Sequence, residues 1–161
     1  MSYSNGKKQS YVKLNNVSDY LINAFISIED KKFYSHHGID LKRIGGALLK
    51  NIKNNSITEG ASTITQQLVK NITGENSSKI TRKVKEWFRA ITLEAVLDKD
   101  EILEAYFNII YIGPNLYGVE TGSKYYFNKS SKDLTLEECA FLAGINNAPN
   151  SYNPFDTNKD N

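Results

Sequence analysis

Three short stretches of the chain concentrate the residues that can do chemistry. The first, Glu29-Asp30-Lys31-Lys32-Phe33-Tyr34-Ser35-His36-His37-Gly38, sets two adjacent carboxylates beside an aromatic and histidine cluster. Partial desolvation by neighbouring rings makes a carboxylate a stronger base, which suits general acid–base work. The plainer assignment makes Glu29 and Asp30 solvated helix-end charges paired with Lys31 and Lys32. His36 and His37 read poorly as metal ligands, because adjacent histidines point to different sides and no third ligand is spaced to join them. A turn-stabilising hydrogen bond is the expected job of His37.

The second stretch runs from Gly60 to Lys70 and contains Ser62-Thr63-Ile64-Thr65-Gln66-Gln67. Hydroxyls and backbone amides at a helix N-terminus suit a phosphate or carboxylate. Gln66 and Gln67 add amides for sugar hydroxyls, and Lys70 lies one turn further on. A plain N-cap is the simpler reading, but three hydroxyls and two glutamines in six residues exceed what a cap needs. The third stretch is Arg82-Lys83-Val84-Lys85-Glu86. Helical spacing predicts that Arg82, Glu86 and Arg89 share a face away from Trp87 and Phe88. As a surface ion pair this is worth only about 0–1 kcal/mol; as a carboxylate held in a cationic cluster it would bind a polyphosphate. Neither a P-loop nor a His-Glu-x-x-His zinc motif occurs.

Helices must position these groups. Ser18 can cap a helix whose Leu21, Ile22, Phe25 and Ile26 share a face and which runs to about Asp30. Leu41 to Asn54 is amphipathic but weakened by Gly45-Gly46. Residues 54 to 60 read as a loop. Thr63 and Gln66 have capping-box spacing for a helix from about Ile64 to Ile72. A long helix is predicted over Lys79 to Leu97. Asp98 and Glu101 open another to about Ile110, followed by Val119 to Phe127 and a last helix capped by Thr135 and Glu138 that ends at Gly144. The tail after Pro149 reads as irregular. Strand-like alternation is scarce, so the chain is expected to be mainly α.

Composition sets the outer bounds. The 161 residues are 40% hydrophobic and 24% charged, enough for one domain with a real core. A single cysteine, Cys139, excludes an internal disulfide and a multi-cysteine zinc site. The chain lacks the ~20 continuous apolar residues of a membrane span, and its start lacks a signal-peptide core, so it is expected to be soluble as given. The net charge of +2 hides a segment, Leu41 to Arg89, with ten basic and three acidic residues. Charge sorted in this way can draw an anionic partner, with nucleic acid, a phosphorylated small molecule and an anionic membrane surface as the candidates; an ordinary solvated helix face is the plainer alternative.

In this order the segments resemble the glycosyltransferase domain of peptidoglycan polymerases, family 51, found in class A penicillin-binding proteins and monofunctional transglycosylases. Glu29 to Gly38 looks like the first motif, Glu-Asp-x-x-Phe-x-x-His-x-Gly, and Gly60 to Gln67 like Gly-x-Ser-Thr-Ile-Thr-Gln-Gln. Arg82 to Glu86 is similar to Arg-Lys-x-x-Glu. Glu101 to Asn108 with Tyr111-Ile-Gly113 resembles the fourth motif, and later segments through Asn153-Pro154 also fit. The resemblance covers about Ala24 to Phe155. It departs at Gly46-Ala47, where the family commonly has Arg-Ala, and near Ser78, where Lys79 stands in for another basic residue. The family's N-terminal membrane helix and terminal Arg-Arg are missing, so the chain reads as one domain, 1–161, trimmed at both ends.

The resemblance implies a lysozyme-like globular lobe with a smaller, mobile, membrane-proximal jaw-like lobe at about residues 41–72. It implies polymerisation of lipid II into β-1,4-linked glycan with release of polyprenyl pyrophosphate and inversion at the donor carbon. Glu29 would be the general base, and Glu86, a second catalytic carboxylate, would orient the neighbouring cations, hold a divalent metal (Mg or Mn), or do both. Asp30, Ser62, Thr63, Gln66, Gln67, Lys70, Arg82, Lys83 and Lys85 would bind substrate. The expected partners are lipid II, the growing glycan and the membrane surface, not nucleic acid, and the family's bifunctional members, unlike its monofunctional ones, carry a fused transpeptidase domain. The expected location is the outer face of the bacterial cytoplasmic membrane. A lysozyme-like glycan hydrolase and a non-catalytic lipid II or membrane-surface binding domain are the rivals.

Overall fold

The computed structural model describes residues 2–4, 7–54, 61–74 and 80–147. Among these the chain is mainly α: α1 Asp19–Glu29, α2 Leu41–Asn54, α3 Ile64–Thr73, α4 Ile80–Glu94, α5 Lys99–Ile109, α6 Val119–Phe127 and α7 Leu136–Asn147. Strands β1 Ser2–Ser4, β2 Lys7–Gln9, β3 Tyr111–Gly113 and β4 Leu116–Tyr117 form a small sheet in the order β1-β2-β4-β3. Strands of two or three residues carry too little alternation to be read from sequence. Gly60, Ser78, Lys79 and the tail beyond Asn147 lie outside the described residues.

Local chemistry explains the helix ends. The Ser18 carbonyl accepts from the amides of Leu21 and Ile22, which opens α1. Asp98 and Glu101 exchange side-chain and backbone bonds of 2.8 and 2.9 Å, so Asp98 stops α4 from merging with α5. α4 ends at Glu94 and not at Leu97, and Ala95 to Leu97 form a closing turn on its last carbonyls. α7 runs through Gly144 to Asn147, since Gly144 is not among the residues with positive φ.

The chain divides into two compact units, one of Met1–Ile28 with Glu104–Asn161 and the other of Glu29–Leu103. In the first, Phe25 meets Phe107 edge-on at 5.2 Å and Tyr106 at 6.3 Å, in a core with Leu21, Ile110, Ile112 and Leu142. The Asn108 amide bonds both the N–H and the carbonyl of Val12 at 2.8 Å, so a side chain supplies the pairing a strand would otherwise give.

In the second unit α3 packs on α4, around Phe33, Ile64, Leu68 and Ala90. Asp40 caps α2 by accepting from the Arg43 amide at 3.0 Å, and that bond holds its carboxyl below the usual range. A Cβ at Gly45 or Gly46 would meet nothing within 4 Å. Gly46→Ala should therefore stabilise the protein by about 0.5–1 kcal/mol through helix propensity alone, read as a higher denaturation midpoint. Gly46→Arg adds the charge that the resemblance leads one to expect there. Turnover for Arg above that for Ala, at low salt, is the expected result, and equal behaviour would leave only an effect on helix stiffness.

Candidate active site

The site is built within the second unit, on the N-terminus of α3. Thr63 adopts an extended conformation (φ −75°, ψ 165°), and its hydroxyl accepts from the Gln66 amide while the Gln66 side chain accepts from the Thr63 amide. This is the capping box expected from the sequence, and it is buried. The Thr63 hydroxyl also donates to the Gly38 carbonyl at 2.7 Å, which ties the second stretch to the end of the first.

The next two residues of α3 each hold a carboxylate. Gln66 Nε2 donates to Glu86 Oε1 at 3.1 Å, and Gln67 Nε2 donates to Glu29 Oε2 at 2.7 Å. Glu86 is 4% exposed and pairs with Arg82 through Oε2 at 2.8 Å and with Lys83 through Oε1. Lys83 Nζ also donates to Ser62 Oγ at 2.7 Å. A buried carboxylate is tolerable only with such charged and hydrogen-bonding partners. Arg43 Nη1 donates to the carbonyl of Glu29, which fixes the backbone at the end of α1.

Asp30 faces inward and is 1% exposed. Its Oδ2 accepts from the Ile64 amide at 3.0 Å, at the positive end of α3, and lies 2.8 Å from His36 Nε2. His36 is the buried, bonded histidine and His37 is exposed, which reverses the sequence expectation. The reason is that Asp30 turns into the core and takes the imidazole that can follow it. Phe33 is buried against Tyr34 and His36 and beneath Lys99, while burial and then Asp100 push the Tyr34 phenol up.

The structure thus brings together Ser62, Thr63, Gln66, Arg82, Lys83 and Glu86, with Glu29 reached through Gln67. Lys70 and Lys85 are exposed. Arg82 and Glu86 share a face as expected, with Arg89 following at helical spacing on α4, where it also lines an apolar groove with Phe88, and Lys83 is the second cation on Glu86. That groove, of about 360 Å³, runs between α3 and α4 and includes Val69, Ile72, Leu93 and Val96. Among the described residues no three His, Cys, Asp or Glu side chains are placed to hold a metal ion. Sequence reasoning missed Arg43 and Glu94. Glu94 carried a signal: Glu86, Ala90 and Glu94 repeat every four residues along the inward stripe of α4.

Comparison with known proteins gives a consistent set. A family model described as transglycosylase matches residues 1–161. The chain is 53% identical over 148 residues to penicillin-binding protein 1A of Clostridium botulinum strain Langeland, which covers 89% of this chain and 18% of that protein. It is 48% identical over 162 residues to penicillin-binding protein 1A of Clostridium acetobutylicum (94% of this chain, 20% of that protein). To penicillin-binding protein 1F of Bacillus subtilis it is 47% identical over 152 residues (92% and 21%). The chain spans about a fifth of the length of these curated relatives.

Proposed function

We propose, from the premise that this chain belongs to the transglycosylase family, that it is a peptidoglycan glycosyltransferase that polymerises lipid II. One observation carries the reading: adjacent glutamines of α3 hold two carboxylates in different surroundings. Gln67 meets Glu29 through a neutral amide, whereas Glu86 is the counterion of Arg82 and Lys83.

A sugar hydroxyl is a weak nucleophile, so a base within hydrogen-bond reach is needed. On this reading Glu29 takes the proton of the acceptor GlcNAc 4-hydroxyl as its oxygen attacks C1 of the donor MurNAc. The C1–O bond to the pyrophosphate breaks on the opposite face, so an α-linked donor becomes a β-1,4 linkage. Polyprenyl pyrophosphate leaves as an anion. Its charge is what needs stabilising, and Arg82 and Lys83, oriented by Glu86, supply that from within the basic segment, with Lys70 and Lys85 as outer contacts. Both oxygens of Glu86 already accept from cationic or amide donors. A divalent ion, Mg or Mn, would add positive charge to stabilise the departing pyrophosphate, and Glu86 is the carboxylate that would help to hold it.

The apolar groove supports a membrane-facing surface, since Ile72, Phe88 and Val96 along it are 66%, 70% and 72% exposed. Among the described residues no helix is long and apolar enough to cross a membrane. We assign the domain to the outer face of the cytoplasmic membrane. The greater length of the relatives leaves room for a fused transpeptidase domain.

Incubation with labelled lipid II, with and without divalent metal, tests this reading, and polymer is the expected product. Cleavage of purified glycan strands would favour a hydrolase, and binding without polymer a non-catalytic domain. Glu86→Gln should weaken donor binding roughly 10- to 100-fold, as when a group that orients ligand-binding side chains is removed, and should change the metal response. Unchanged donor affinity and metal response would reduce Glu86 to a structural ion-pair partner.

A further inference from the structure

The inward charges of α4 continue past the residues used above. Glu94 lies on the Glu86–Ala90–Glu94 stripe, its side chain is 3% exposed, and no proposed step of the reaction uses it. Its Oε1 accepts from the Thr65 hydroxyl, and its Oε2 lies 2.7 Å from Lys99 Nζ. The same Oε1 stands 3.7 Å from His36 Nδ1, too long for a hydrogen bond. His36 Nε2 is 2.8 Å from Asp30 Oδ2, which accepts from the Ile64 amide at 3.0 Å. The imidazole is thus set between two buried carboxylates. Those carboxylates hold the first two residues of α3, Asp30 through the Ile64 backbone and Glu94 through the Thr65 side chain.

We propose that Glu94 is a positioning residue for the transfer reaction. With Asp30 and His36 it fixes the first turn of α3, and thereby the angle at which Gln66 and Gln67 meet Glu86 and Glu29. The proposal rests on the reading of Glu29 as the base. Stability alone does not account for Glu94, because a buried carboxylate is costly even when paired and an apolar isostere is often as stable. What a buried ionic contact provides is a fixed geometry. Residues 64 and 65 are held from one side and residues 66 and 67 hold the reacting groups on the other, so a small rotation of α3 misplaces both glutamines together.

The test compares Glu94→Gln, Thr65→Val and Thr65→Ser with the unaltered protein, in lipid II polymerisation per folded molecule and in amide hydrogen exchange. Glu94→Gln should lower kcat about 10- to 100-fold, the scale of a misplacement of order 1 Å, with donor KM changed less than about twofold. Thr65→Val should behave likewise, Thr65→Ser should restore turnover, and the double variant Glu94→Gln/Thr65→Val should be little worse than either single one. Exchange at Gln66 and Gln67 should quicken in Glu94→Gln and Thr65→Val without a matching loss of global stability. Normal exchange with normal kcat overturns the proposal. So does a loss of kcat that only follows the folded fraction, or effects of the two residues that simply add. If the unaltered protein makes no polymer while exchange still quickens in the variants, the reading of the reaction fails and the positioning of α3 by Glu94 stands.

Discussion

Glu29→Gln should lose polymerising activity by about 10²–10⁴-fold, the usual contribution of a general base, while still binding lipid II. The substitution keeps the size of the side chain and a group that can accept from Gln67 Nε2, now 2.7 Å from the carboxylate. Arg43 bonds the backbone carbonyl of Glu29, so the end of α1 should stay in place. What disappears is the capacity to take a proton from the acceptor hydroxyl. The loss should therefore fall on kcat, with KM for the donor little changed. Glu29 is half-buried at the end of a helix, so a loss of fold is not expected to confuse the result. Near-normal turnover would remove Glu29 as the base and leave Glu86 as the carboxylate to examine.

Much of this site could be read in the sequence because its parts are local. The capping box of α3 needs only a Thr and a Gln three residues apart, and the Arg82–Glu86 pair only one helical turn. The helices followed from apolar periodicity for the same reason. The contacts that assemble the site are not local: Asp30 reaches the Ile64 amide across 34 residues and Gln67 reaches Glu29 across 38. No spacing rule connects such positions, so Asp30 read as a surface charge or a substrate contact when its side chain in fact points into the core. His36 and His37 show the same limit. Which of two adjacent side chains faces inward depends on where the chain turns after α1, and the histidine spacing carries no information about that. The small sheet escaped because its pairings, such as Lys8 with Leu116, join segments too short to show a pattern.

Gly38→Ala should cost roughly 2–5 kcal/mol of stability, the largest effect expected of an added Cβ among the described glycines. Gly38 sits at φ +86°, where an L side chain is strained by about 1–2 kcal/mol. An added Cβ would also stand 2.7 Å from Ala90 C, Ala90 O and Ile91 N. These are backbone atoms of α4 and cannot rotate aside, so the helix must shift, at a further cost of about 1–3 kcal/mol. The shift should also reach the site by two routes. Glu86 is one turn before Ala90 on the same helix, and the Gly38 carbonyl accepts from the Thr63 hydroxyl that anchors the α3 cap. Turnover should fall even at temperatures where the variant stays folded. Gly74→Ala supplies the control, because Gly74 has φ +65° but open space around its Cβ position. It should show the conformational cost of about 1–2 kcal/mol without the packing cost, and leave turnover unchanged. Urea denaturation of the two variants separates the contributions, and equal losses would mean that the contact between Gly38 and α4 yields at little cost and does not constrain the site.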